Sequence, residues 1–221
     1  MSGRFEKRSK GFKAMALVLA FVLVIGASVV GTLAWLTATT DQVKNTFASA
    51  ELFETPVKDF TLWEHKAEPN GNGTYKLGTE EVLKNTYEIL PGVTIPKDPT
   101  VDVVNLEEYA YLYIKVTGLP MGDGLTATVD DANWTALNGY DGVYVYSGTY
   151  AESNIIKATD EVKKTFTARI LTNNQIEVAS TYNGTRDNIE LSFDAYMVQA
   201  TGNGDNAAAA WANTYGAPQN P

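Results

Sequence analysis

Apolar and polar positions alternate with period two along much of this chain. From Tyr109 to Val116, the residues Ala110, Leu112, Ile114 and Val116 share one face, and Tyr109, Tyr111, Tyr113 and Lys115 share the other. From Ile189 to Val198, Ile189, Leu191, Phe193, Ala195 and Met197 alternate with Glu190, Ser192, Asp194 and Tyr196. Such alternation predicts half-buried strands, the first with an aromatic outer face. Val143–Tyr146, Thr165–Leu171 and Ile176–Ser180 are further strands by their β-branched and aromatic content. Turn dipeptides separate these runs: Pro91-Gly92, Asp123-Gly124, Asn138-Gly139, Asp141-Gly142 and Asn183-Gly184. Short strands with frequent turns predict an antiparallel sandwich, with Ala110, Leu112, Ile114, Leu191, Phe193 and Met197 facing the core. Two short helices are expected. Thr79–Lys84 opens on a capping residue with acids in its first turn, and Ala207–Trp211 is alanine-rich inside a Gly/Asn-rich tail, 201–221.

The N-terminus has a different pattern. Arg4, Lys7, Arg8, Lys10 and Lys13 stand against the single acid Glu6, and no charge follows from Ala14 to Thr40. This is a basic region ahead of an apolar one, the layout of a signal segment. Thr32-Leu33-Ala34 offers small residues for a signal peptidase, which places the cut between Ala34 and Trp35. The alternative is a retained transmembrane helix, since the run exceeds the roughly 20 apolar residues that span a bilayer. In both cases the basic residues stay inside and the body goes out. The boundaries that follow are 1–34 signal segment, 35–46 new N-terminal segment, 47–200 sandwich and 201–221 tail.

Charge and cysteine content narrow the function. Removing residues 1–34 takes away five of 17 basic and one of 26 acidic residues, leaving 12 and 25 and a formal charge of −13. So acidic a body does not attract nucleic acid or anionic lipid. The chain has no cysteine, so neither disulfides nor thiolate chemistry enter, and stability rests on packing. Contact with a membrane is expected only through an uncleaved signal segment.

Candidate chemistry is sparse. His65, the single histidine, lies in the probable strand around Trp63-Glu64-His65, and a zinc hydrolase of the HExxH type needs two histidines four apart on a helix. It reads as a strand-end histidine beside Glu64. Ser147-Gly148 and Ser153-Asn154 lack the strained elbow of a serine nucleophile. The carboxylate pairs Glu80-Glu81, Glu107-Glu108, Asp130-Asp131 and Asp160-Glu161 read as solvated charges, because neighbours on a strand point to opposite faces. Asp130, Asp131 and Asn133, or Asp205 and Asn206, offer oxygens of the kind calcium takes, without a recognised loop spacing. Tyr109, Tyr111 and Tyr113 form either a carbohydrate platform or a packed cross-strand ladder. No catalytic residue, metal ligand or cofactor site is assigned.

Three blocks carry a family resemblance. The first is Gly31–Leu52, with its small-residue cut site, the polar stretch Asp41–Asn45 and then Phe47-Ala48-Ser49-Ala50. The second is Leu90-Pro91-Gly92, Lys97-Asp98-Pro99-Thr100-Val101, Asn105 and Ala110–Val116. The third is Ala195–Ala200 followed by Ala210-Trp211. Together they resemble the TasA/camelysin family of Gram-positive exported proteins, while Gly118–Asp187 matches no family pattern. The resemblance implies a jelly-roll-like sandwich, export through a dedicated signal peptidase, and a structural role in biofilm-matrix or cell-surface fibres built by self-association. It also implies a donor strand: Trp35–Thr46 would pair with the sheet edge of the next subunit, with Trp35, Leu36, Val43 and the following Phe47 as anchors. The alternatives are a surface adhesin or glycan-binding module, and a camelysin-like metalloprotease.

Overall fold

A computed structural model describes residues 37–39, 44–47, 59–122, 124–158, 164–184, 189–203 and 206–217. In chain order the strands are β1 (Thr37–Thr39), β2 (Lys44–Phe47), β3 (Phe60–Pro69), β4 (Tyr75–Val82), β5 (Thr86–Glu88), β6 (Thr94–Pro96), β7 (Thr100–Val103) and β8 (Ala110–Thr117). They continue with β9 (Leu125–Thr126), β10 (Trp134–Ala136), β11 (Val143–Tyr146), β12 (Ala151–Glu152), β13 (Ile155–Ile156), β14 (Phe166–Arg169), β15 (Gln175–Val178) and β16 (Ser192–Gln199). One helix, α1 (Ala207–Tyr215), follows.

The protein is an all-β sandwich. Its largest sheet runs β10-β11-β8-β16-β2, with β13 and β12 continuing from the Ala110 end of β8. β8 and β16 pair along eight positions, from Ser192↔Thr117 to Gln199↔Ala110. The facing sheet has the order β14-β7-β3-β4, and β6-β15-β9 forms a third, smaller sheet. All these pairs are antiparallel except β2 with β16.

The alternation read from the sequence sets the core. Ala110, Leu112, Ile114, Phe193, Ala195 and Met197 are buried and meet Phe60, Leu62, Val101, Val103, Phe166 and Ala168 of the opposite sheet in one cluster. Leu191 joins them from just before β16. Each strand thus gives one face to the interior, as period two requires.

The outer face of the large sheet is not open to water near its middle. Tyr111, Tyr113, Val145 and Val198 are covered by Ala207, Ala210 and Trp211 of α1. The Tyr113 hydroxyl donates to the carbonyl of Ala207 at 2.7 Å. Asn206 caps the helix by accepting from the backbone N–H of Ala209 at 3.0 Å. The helix expected around Ala207–Trp211 thus forms, runs on to Tyr215 and adds a third layer on the sheet. Alanine allows the close approach, and the Trp211 ring packs on Tyr113 at 5.0 Å and on Tyr196 at 5.1 Å, centre to centre.

The helix expected over Thr79–Lys84 does not form. Thr79–Val82 belong to β4, where Val82 pairs with Glu64 and Glu81 with His65. Glu80 accepts from Lys66 at 2.6 Å across the two strands. A six-residue helix has a costly nucleus and few internal bonds, and the β3 edge satisfies the same backbone groups.

Candidate functional site

The feature of greatest consequence is an edge. β16 has β8 on one side, and on the other side the described residues place only β2. β2 comes from the N-terminal stretch and runs parallel to β16, with Lys44 against Asp194, Asn45 against Ala195, Thr46 against Tyr196 and Phe47 against Met197. β1, from the same stretch, pairs with β5 through Thr37↔Glu88, Ala38↔Tyr87 and Thr39↔Thr86. The described parts of the segment expected to leave the body, Thr37–Thr39 and Lys44–Thr46, are thus paired with strands of their own chain. Of the sequence-assigned positions, Phe47 lies in β2; Ala34, Trp35, Leu36 and Val43 lie outside the described residues.

The hold of β2 is small. It has four register pairs with β16, against eight for β8. Parallel pairing is slightly weaker per residue than antiparallel, and an edge strand has a partner on one side only. Two of its register partners on β16, Ala195 and Met197, are fully buried. The large sheet therefore ends in a slot filled by a short strand from near the start of the chain.

A second feature is polar and interior. Glu64 on β3 and Lys97, just after β6, are each about 1% exposed, with Lys97 Nζ donating to Glu64 Oε2 at 2.8 Å. The ammonium sits 5.5 Å from the centroid of the Phe193 ring. Among the described residues Glu64 Oε1 has no hydrogen-bond partner. Burial lowers the Lys97 pKa, and the Glu64 carboxylate opposes that shift.

On the other face of β3, His65 does not stand at a strand end. Its backbone N–H donates to Asp98 Oδ1 at 3.0 Å, and its Nδ1 meets Asp98 Oδ2 at 2.6 Å. A β-bulge falls between His65 and Ala67. Asn85 bridges it, donating from Nδ2 to the His65 carbonyl at 2.8 Å and accepting the Ala67 N–H on Oδ1 at 2.7 Å. The adjacent residues Lys97 and Asp98 thus hold two neighbours of β3 on its two faces. This pairing escaped the sequence reading, although Glu64 falls in the apolar phase of Phe60 and Leu62, where an acid requires a buried cation.

The tyrosine platform is corrected. Tyr111 is 2% exposed and Tyr113 0%, both beneath α1, while Tyr109 is exposed and stands alone of the three. The packed reading of this ladder holds: Tyr113 has Trp211 at 5.0 Å and Tyr111 at 6.1 Å, ring centre to ring centre. An aromatic cleft does exist, further along the same face. It encloses about 650 Å³ between the β10–β11 turn, β16 and the end of α1.

The carboxylates at Asp130 serve a turn. Asp130 Oδ1 accepts from the Ala132 N–H at 3.2 Å and Oδ2 from Asn133 Nδ2 at 2.6 Å. Asp205 lies outside the described residues, and Asn206 is the cap of α1. Among the described residues no group of three or more His, Asp or Glu converges as a metal site. No described helix is long and apolar enough to cross a membrane. Compared with protein-family models, characterised proteins and solved structures, the chain matches none.

Proposed function

We propose that this protein is an exported structural subunit that assembles head-to-tail by strand donation, outside the cytoplasmic membrane, in a matrix or surface fibre. The observation that carries the reading is β2: a four-residue strand from the N-terminal stretch occupies the outer edge of β16, parallel to it. A strand that fills a slot in its own sheet fills the same slot in another copy with the same contacts. The balance between the two then depends on linker geometry and protein concentration rather than on new interactions. When each copy passes its β2 to the next copy and takes one from the copy before, rather than swapping reciprocally with one partner, the exchange is head-to-tail and builds an open filament.

Three sequence features support this reading. The basic and apolar start of the chain provides for export, by a dedicated signal peptidase if the TasA/camelysin resemblance extends that far. Cleavage between Ala34 and Trp35 would free the donor segment from the membrane. The absence of cysteine leaves strand pairing, not disulfides, to join subunits. No observation favours the metalloprotease reading, whereas the aromatic cleft favours a glycan-binding role beside the structural one.

The test compares the chain begun at Trp35 with the chain begun at Phe47, by electron microscopy and size exclusion. Filaments from the first and monomers from the second are expected. Equal filament formation by both overturns strand donation.

A further inference from the structure

The cleft at the end of α1 is a consequence of unequal lengths. β8 runs on to Thr117, with Lys115 on its outer face, while α1 stops at Tyr215. The helix therefore covers Tyr111 and Tyr113 but leaves the sheet beyond them uncovered. The turn carrying Tyr140 and Asp141 closes the far side, leaving an open cleft of about 650 Å³.

Its walls are aromatic. Tyr196 rises from the sheet, Trp211 and Tyr215 come from adjacent turns of the helix, and Tyr140 comes from the turn. The rings meet mainly edge to face. Tyr196 and Tyr215 are 5.0 Å apart at 67°, and Tyr140 and Trp211 are 6.2 Å apart at 70°. Trp211 is itself buried, so Tyr140, Tyr196 and Tyr215 carry the aromatic surface that the cleft still shows. Tyr140, Tyr196 and Tyr215 are half-buried, whereas Lys115 and Asp141 are exposed at the mouth.

We propose that this cleft binds a neutral pyranose chain. The C–H face of a sugar ring stacks on aromatic faces, and its hydroxyls both donate and accept. Asp141 accepts and Lys115 donates, so the mouth serves both needs. A polyanion is repelled by a chain of formal charge −9. The open side lets a chain pass through rather than ending in a closed pocket. Binding here is independent of strand donation, because it is measured on unassembled protein and uses none of the β2 contacts.

The experiment is calorimetric titration of the full-length chain, in a zwitterionic detergent free of sugar groups, with cellohexaose, maltohexaose and hexa-N-acetylchitohexaose. At least one should bind saturably, with Kd under about 1 mM. Tyr140→Ala should weaken that affinity at least tenfold. Should this variant misfold, Asp141→Ala at the exposed mouth should weaken binding by at least threefold. Tyr109→Ala, away from the cleft, should leave it unchanged. The proposal is overturned if none of the three hexamers binds, if the cleft variants bind as the parent does, or if polygalacturonate binds more tightly than every neutral chain.

Discussion

Replacing Lys97 with Met tests the interior of this fold most severely. At 2.8 Å, opposite unit charges attract by about 6 kcal/mol for an effective dielectric of about 20. Against this stands the desolvation of two ions, several kcal/mol each. The attraction and the penalty nearly cancel, so the pair contributes little net stability while both members are present. Removing one member removes the attraction and leaves the other's penalty. Glu64 is then a buried carboxylate whose Oε1 already lacks a partner, and the loss should be about 3–5 kcal/mol. A domain of ordinary stability has about 5–15 kcal/mol in total, so the variant should approach unfolding. Glu64→Leu should cost a similar amount. Its stability should rise as pH increases toward 10.5, the ordinary lysine value, because burial lowers the folded pKa of Lys97 and the unfolded chain then binds the extra proton. The double variant Glu64→Leu/Lys97→Met should recover most of either loss. Urea unfolding followed by tryptophan fluorescence supplies all four stabilities. Single losses under about 1 kcal/mol, or a double variant as unstable as the worse single, would refute the argument.

Other outcomes follow from burial and backbone geometry. Leu112→Ala, at a fully buried core position, should cost about 2–5 kcal/mol; a loss under about 0.5 kcal/mol in the same urea assay would place Leu112 outside the core. Gly118→Ala should destabilise by more than about 1 kcal/mol, since φ is +99° and an added Cβ would lie 2.1 Å from the Glu190 carbonyl oxygen; an unchanged thermal midpoint would contradict this. Alkaline pH should unfold the protein through its tyrosines. Burial raises the pKa of Tyr87 and Tyr113 strongly and pushes Tyr146 and Tyr215 up to about 12. A raised folded pKa gives stability that is complete below the unfolded value of 10.0 and is lost as pH rises from there toward the folded value. For the deeply buried Tyr87 the loss should be up to about 1.4 kcal/mol per pH unit. Denaturation midpoints measured between pH 9 and about 12 should fall steadily; a flat profile would mean that these hydroxyls are open to water.

The sandwich was legible because its strands obey period two over many residues. Tyr109–Val116 and Ile189–Val198 could each be given an inner and an outer face from the sequence alone, and Leu112 and Phe193 were assigned to the core face by the same rule. The helix misread at Thr79–Lys84 shows the limit of local signals: a cap and two acids describe a helix start equally well as an exposed β-strand, and the vacant edge of β3 decided between them. Tyr111 and Tyr113 were placed correctly on the outer face, but what covers that face comes from α1, nearly a hundred residues later. Periodicity carries no information about such a distant layer. The Glu64–Lys97 pair was hidden for the same reason, because its members are 33 positions apart. The β2 slot was legible only as an expectation about the segment; its parallel pairing with β16 depends on which edge the finished sheet leaves open.

The central claim is that β2 can occupy the β16 edge of another copy, and a cysteine pair tests it directly. The native chain has no cysteine, so Lys44→Cys with Asp194→Cys introduces one possible bond, between register partners on adjacent strands. Neighbouring strands hold such residues within disulfide range. After assembly of the chain begun at Trp35 and mild oxidation, a denaturing, non-reducing gel separates the two arrangements. Strand donation predicts a ladder of covalent oligomers that collapses to monomer on reduction. Filaments that yield only internally bridged monomer would show that each subunit keeps its own β2, and would contradict the account.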